Sequence, residues 1–162
     1  IDGRSAGGYT TLAALAFQDV FFAGASLYGI GDLSALYDGT HKFESRYMDG
    51  LIGPYPEKKS VYEERCPINY TEKLSCPVIL LQGDEDKVVP PDQAETMFEV
   101  LTAKGLPSAL IIYKGEQHGF RKSENIRHAL LSEYNFFCET FGIKAQSEVN
   151  FGRIEIGKRI EV

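Results

Sequence analysis

The 162-residue sequence predicts an α/β fold, a parallel sheet with helices on its faces. Three observations point there. Pro77-Val78-Ile79-Leu80-Leu81-Gln82-Gly83 is a run of β-formers bounded by Pro and Gly, as expected of a strand buried on both faces. Residues 109–113 form a second such run, ending near Gly115. Between them, residues 91–104 place Ala94, Met97, Phe98 and Leu101 at the spacing of an amphipathic helix. Strand, helix, strand is the unit that builds a parallel sheet by right-handed crossovers.

The other elements follow in chain order. After Gly7-Gly8, residues 9–18 are rich in Ala and Leu, with Leu12, Leu15 and Ala16 at helical spacing, so a helix leaves the glycine-rich turn directly. Residues 20–28 are apolar or small, and their length predicts a buried strand over 22–28 that Gly29 and Gly31 end. Residues 32–65 carry Gly50, Gly53, Pro54 and Pro56 among polar and aromatic stretches, which predicts an excursion of short helices and loops. Residues 67–74 link it to the 77–83 strand. Gly105 stands where the 91–104 helix needs a left-handed stop. Ser123 is expected to cap a long helix whose apolar face includes Ile126, Ala129, Leu130, Phe137 and Phe141.

Residues 1–145 thus form one domain, and residues 146–162 read as a tail. There Ile154, Ile156, Ile160 and Val162 alternate as in a short hairpin or an edge strand. Three strands leave sheet edges unpartnered and the first helix without a strand before it. The chain starts at Ile1, with Gly3, Ser5 and Gly7 following at once, and the expectation is that an N-terminal part of the same protein is missing.

Composition narrows the function classes. With 43% hydrophobic and 25% charged residues, 16 Gly and 7 Pro, the chain is globular rather than disordered, collagenous or coiled coil. A net charge of −6 without any Lys/Arg cluster excludes a nucleic-acid footprint. The longest apolar stretch, around residues 21–25, is far short of the roughly 18 to 20 residues that cross a bilayer, so no membrane partner is expected. Cys66, Cys76 and Cys138 are odd in number and lack CxxC or Cys/His ligand spacing, which argues against disulfides and zinc and for a reducing, cytoplasmic compartment.

Chemistry concentrates at three places. Gly3-Arg4-Ser5-Ala6-Gly7 matches G-x-S-x-G, in which the glycines allow a sharp strand-to-helix turn that exposes a serine Oγ. The composition predicts about 0.1 such matches by chance, so context decides, and a helix-capping serine is the plain alternative. Gly83-Asp84-Glu85-Asp86-Lys87-Val88-Val89-Pro90 follows the end of a buried strand, where open α/β sheets carry their binding groups. An acid there can orient a histidine and stabilise its imidazolium. Asp86 is preferred for its place three residues after Gly83, with Asp84 and Glu85 as competitors and a turn carboxylate as the plain reading. His118, in Gly115-Glu116-Gln117-His118-Gly119-Phe120, follows the next strand, and Gly119 lets the backbone turn the ring toward the sheet edge. His41 and His128 are alternatives: His41 precedes the acid, and His128 reads as a surface residue of the last helix. Ser5, Asp86, His118 is the chain order of an α/β-hydrolase, so the fold class becomes a partial α/β-hydrolase fold without its N-terminal half.

Four blocks extend the match: Gly3-Arg4-Ser5-Ala6-Gly7-Gly8-Tyr9; Phe43-Glu44-Ser45-Arg46-Tyr47-Met48; Pro67-Ile68-Asn69 leading to Cys76-Pro77-Val78; and residues 82–90 followed by His118-Gly119-Phe120. Over about residues 1–143 the chain resembles the catalytic domain of the prolyl oligopeptidase family of serine peptidases. The resemblance implies nucleophile Ser5, acid Asp86, base His118 and the Ala6 backbone N–H as an oxyanion donor. It places Phe43 and Tyr47 near the pocket for the residue preceding the scissile bond, ordinary aromatic packing being the alternative. The substrate would be a short peptide, cleaved through an acyl-enzyme, with no metal or organic cofactor. A carboxylesterase and a noncatalytic remnant or interaction module are the rivals. Many family members carry Arg where Val88 stands here, so peptide anchoring differs. The family's domain also begins upstream, with a second oxyanion donor and usually a β-propeller. Without that donor the isolated chain is expected to lose about 10²–10³ in rate.

Overall fold

The computed structural model describes residues 1–39, 46–146 and 157–162. Five parallel strands form one sheet in sequential order: β1 (Asp2–Arg4), β2 (Gly24–Leu27), β3 (Val78–Gly83), β4 (Ser108–Tyr113) and β5 (Lys158–Glu161). The helices are α1 (Ala6–Phe17), α2 (Leu33–Gly39), α3 (Tyr47–Leu51), α4 (Lys59–Arg65), α5 (Asp92–Ala103) and α6 (Ser123–Thr140), with a 3-10 segment over Pro67–Lys73.

Every residue of β3 and β4 is buried, because each face of the sheet is covered. Val78, Leu80, Leu110 and Ile112 point to one side, where Leu12 and Leu15 of α1 and Met97 and Leu101 of α5 meet them. Ile79, Leu81, Ala109, Ile111 and Tyr113 point to the other, against Ala129 and Phe136 of α6. This two-sided burial is why both strands read as continuous apolar runs rather than alternating ones. Leu110 is fully enclosed, so Leu110→Ala should destabilise the fold by about 3 kcal/mol, read as a lower denaturant midpoint at unchanged slope.

The expected three strands become five. β1 is only three residues long, yet it pairs with β2 from Asp2 opposite Ala25 to Arg4 opposite Leu27, and so supplies the strand before α1. In the tail the edge strand forms: β5 runs parallel to β4, with Ile160 opposite Ile111. Ile154 and Ile156 lie outside the described residues. The strand expected over 22–28 shortens to Gly24–Leu27, and Phe22 is 74% exposed.

α6 also departs from the expected face. Its buried positions are Asn125, Ala129, Ser132, Glu133, Asn135, Phe136 and Cys138, whereas Ile126, Leu130 and Phe141 are exposed. The polar members of the inward face have specific partners: Asn125 donates to Glu116, and Glu133 lies 3.6 Å from the Arg4 guanidinium. Ser123 does not cap the helix through its side chain; its hydroxyl meets Glu124 instead. Among the described residues no helix is long and apolar enough to cross a membrane.

Candidate active site

The carboxyl ends of β1, β3 and β4 bring the three sequence-predicted groups together. β1 turns into α1 within one residue, Ser5. A Cβ on Gly3 would lie 2.1 Å from the Gly7 carbonyl oxygen, so only glycine lets strand and helix approach this closely. Ser5 itself sits at φ 55°, ψ −120°, a region sparsely populated by residues with a side chain and costing about 1–3 kcal/mol. Its N–H donates to the Leu27 carbonyl at 3.0 Å and its carbonyl accepts from Tyr9 N–H at 3.0 Å, bonds that hold the strained turn in place.

Asp86 follows β3 with its side chain fully enclosed. Oδ1 accepts from the Val88 and Val89 N–H groups, both at 2.9 Å, and Oδ2 accepts from Gln82 Nε2 at 3.3 Å and from His118 Nδ1 at 2.8 Å. All four groups that face this carboxylate are hydrogen-bond donors. An ionised carboxylate only accepts, so the proton between the pair belongs to His118 Nδ1 and the lone pair lies on Nε2. Nε2 is 2.7 Å from Ser5 Oγ, in position to accept the hydroxyl proton. Gly119, at φ +82°, turns the chain back behind the ring. Tyr28 packs edge-on against the imidazole with centroids 5.1 Å apart.

The start of α1 supplies dipole and donors. The Ser5 N–H is already committed to Leu27, whereas the Ala6 N–H belongs to the first turn, which has no intrahelical acceptor. Beside it opens a cavity of about 130 Å³ bordered by Ser5, Ala6 and His118 and by Ile30, Leu36, Tyr47, Met48, Val88 and Val89. Among the described residues that line it there is no Lys, Arg, Asp or Glu, and this lining suits an apolar group. Tyr47 stands at the rim, 58% exposed, and Phe43 lies outside the described residues. Leu36 reaches the cavity because the start of α2 is fixed from outside: Gln93 Oε1 accepts from Gly31 and Asp32 N–H, and Asp32 Oδ1 accepts from Ser34 and Ala35 N–H.

The competitors fall elsewhere. Asp84 and Glu85 are exposed, and Asp84 Oδ1 accepts from Gly115 N–H at 2.7 Å. His128 is not a surface residue: it is half-buried and its Nδ1 meets the Tyr113 hydroxyl at 2.9 Å, while burial lowers its pKa. His41 lies outside the described residues. Sequence reasoning missed Gln82, Gln93 and Tyr28. Gln82 had a readable signal, a polar residue closing a fully apolar strand, and its amide also donates to the Gly83 and Val89 carbonyls. Tyr28 and Gln93 had none, since their roles depend on which loops meet.

Residues 1–144 match the profile described as the Prolyl oligopeptidase family. A puromycin-hydrolysing peptidase of Mycobacterium tuberculosis superposes over 99% of this chain and 23% of its own, with TM-score 0.87 and 44% identity. A second solved puromycin hydrolase covers 97% of this chain and 23% of its own, with TM-score 0.89 and 37% identity. Dipeptidyl aminopeptidase BIII of Pseudoxanthomonas mexicana is 25% identical over 90% of this chain and 22% of its own length. The chain therefore spans between a fifth and a quarter of each of these three proteins. Its parallel sheet, its elbow and the profile match across nine-tenths of its length agree: this chain belongs to the prolyl oligopeptidase family.

Proposed function

We propose that the chain is the C-terminal part of the catalytic domain of a serine peptidase that hydrolyses short peptides. The observation that carries this reading is the unbroken line from Asp86 through His118 to Ser5, with bonds of 2.8 and 2.7 Å. Ser5 attacks the scissile carbonyl while His118 Nε2 takes its proton, and the imidazolium so formed is held by Asp86. The Ala6 N–H faces the developing oxyanion as one of two donors. His118 then protonates the leaving amine, and water attacks the acyl-enzyme with His118 as base again. The proton transfers and the nucleophilic attack use side chains of this chain and call for no cofactor.

The apolar cavity beside Ser5 takes the side chain preceding the scissile bond, with Tyr47 at its rim and, by the family resemblance, Phe43 nearby. Val88 stands where, by the family resemblance, many members carry an Arg that holds a substrate carbonyl, so peptide anchoring differs, and the apolar lining of the cavity favours aminoacyl amides and esters with apolar side chains over charged ones. The second oxyanion donor belongs to the rest of the longer protein, for which this chain has surfaces ready. β1 pairs only with β2 among the described residues, and Phe22, Ile126, Leu130 and Phe141 are exposed. Three buried free thiols suit a cytoplasmic setting.

The experiment is fluorophosphonate labelling of the longer protein, beside its Ser5→Ala variant, followed by turnover of aminoacyl amides against simple esters. Labelling that disappears with Ser5→Ala, and turnover at least ten times greater for an apolar than for an acidic acyl residue, is expected. A folded protein that does not label excludes the serine nucleophile. Esters cleaved with amides untouched would assign a carboxylesterase.

A further inference from the structure

The loop that carries His118 is built around a carboxylate the mechanism does not use. Glu116 is 1% exposed. Its Oε2 accepts from Arg121 N–H at 2.7 Å, and its Oε1 accepts from Lys122 N–H at 3.0 Å and from Asn125 Nδ2 at 2.9 Å. These bonds close the chain into a ring around His118, from two residues before it to three and four residues after, and fasten that ring to the first turn of α6. Burial works against a charge here, but the Arg121 and Lys122 N–H groups, the Asn125 amide and the Lys122 charge outweigh it and hold the Glu116 carboxyl below its ordinary range.

The same residue reaches the acid loop. The Glu116 carbonyl accepts from Glu85 N–H at 3.0 Å, one residue before Asp86. The approach is so close that a Cβ on Gly83 would lie 2.4 Å from that carbonyl oxygen. One residue away, Gly115 N–H donates to Asp84 Oδ1, and Asp84 N–H donates to the Tyr113 carbonyl at 3.2 Å. The histidine loop and the acid loop are therefore fixed to each other behind the His118–Asp86 bond, and Glu116 belongs to both fixings.

Resting on the serine-peptidase reading above, we propose that Glu116 is a positioning residue: its buried carboxylate sets the imidazole of His118 in register with Asp86 and Ser5 without touching substrate. A carboxylate suits this place because all three groups facing it are donors. A glutamine keeps one acceptor oxygen but turns an NH₂ toward an N–H, and an alanine leaves three donors unmatched.

The test compares wild type, Glu116→Gln, Glu116→Ala and Asn125→Ala in the full-length protein. Active sites are titrated with fluorophosphonate, kcat is expressed per titrated site, and crystal structures of wild type and Glu116→Gln are compared. The expected result is a kcat per site reduced about 10-fold for Glu116→Gln and about 100-fold for Glu116→Ala, with KM within twofold, because small misplacement of a reacting group costs this much. Asn125→Ala, which leaves both loop N–H bonds, should lose no more than about threefold. In the crystal of Glu116→Gln the His118 ring should be shifted or doubly placed, with its bond to Ser5 Oγ broken. Unchanged kcat per titrated site, with only the titratable fraction or the unfolding midpoint reduced, would overturn the proposal in favour of a purely structural role. If wild type does not label, the peptidase reading fails, yet the position of His118 in the two crystals still decides whether Glu116 sets it.

Discussion

Replacing His118 by alanine is expected to lower kcat of the protein that carries this chain by a factor on the order of 10⁶, about as much as removing Ser5. The reason is that on the proposed mechanism the two act as one unit. Ser5 Oγ is 2.7 Å from Nε2, and no other base among the described residues is bonded to it. Without the imidazole, the hydroxyl must lose its proton to water at neutral pH, and the leaving amine must depart unprotonated. Substrate binding should change much less, because the apolar cavity keeps the side chains of Ile30, Leu36, Met48, Val88 and Val89. Steady-state kinetics on an apolar aminoacyl amide would show the loss in kcat with KM little altered. The double variant with Ser5→Ala should be no slower than either single one. A loss under tenfold would remove His118 from the proton path.

Asp86→Asn should cost about 10⁴ in kcat while leaving the shape of the side chain intact. The local hydrogen bonds dictate how the amide must sit. Val88 and Val89 N–H both point at Oδ1, so the amide oxygen has to take that side. Its NH₂ then occupies the place of Oδ2, facing His118 Nδ1 and the Gln82 amide nitrogen, which is itself a donor. To accept from that NH₂, His118 must carry its proton on Nε2, and Nε2 can then no longer accept from Ser5. The donor facing donor at Gln82 adds a destabilisation of about 1–3 kcal/mol, since both groups are buried. Kinetics and denaturant unfolding together separate the two effects. A folded Asp86→Asn variant within tenfold of wild type would show that the acid does not set the tautomer.

The depth of these effects depends on features with unequal visibility in the sequence. Strands β3 and β4 were legible because burial on both faces makes them continuous apolar runs, and α5 because its apolar positions repeat at helical spacing before Gly105. β1 was not, since three residues cannot show a period, and β5 was legible only as one of two alternatives, since an edge strand of Lys, Arg, Ile and Glu shows a short alternation but not its partner. The inward face of α6 was read only in part, at Ala129 and Phe137, for a different reason. Asn125 and Glu133 are buried by specific polar partners, Glu116 and Arg4, so hydrophobicity alone misses them and adds the exposed Ile126, Leu130 and Phe141.

By itself the sequence determined the parallel α/β architecture, the glycine-rich turn that presents Ser5, and the placing of Asp86 and then His118 each after its own strand. These are local properties: apolar period, glycine placement and the position of a residue just past a strand end. Tertiary structure alone decided that those three side chains meet, that Gln82 and Glu116 sit behind them, and that Ile30, Leu36, Met48 and Val89 wall one cavity. The contacts concerned join residues up to 113 positions apart, Ser5 to His118, and no local pattern records a distance that only the packing of the sheet and its loops creates.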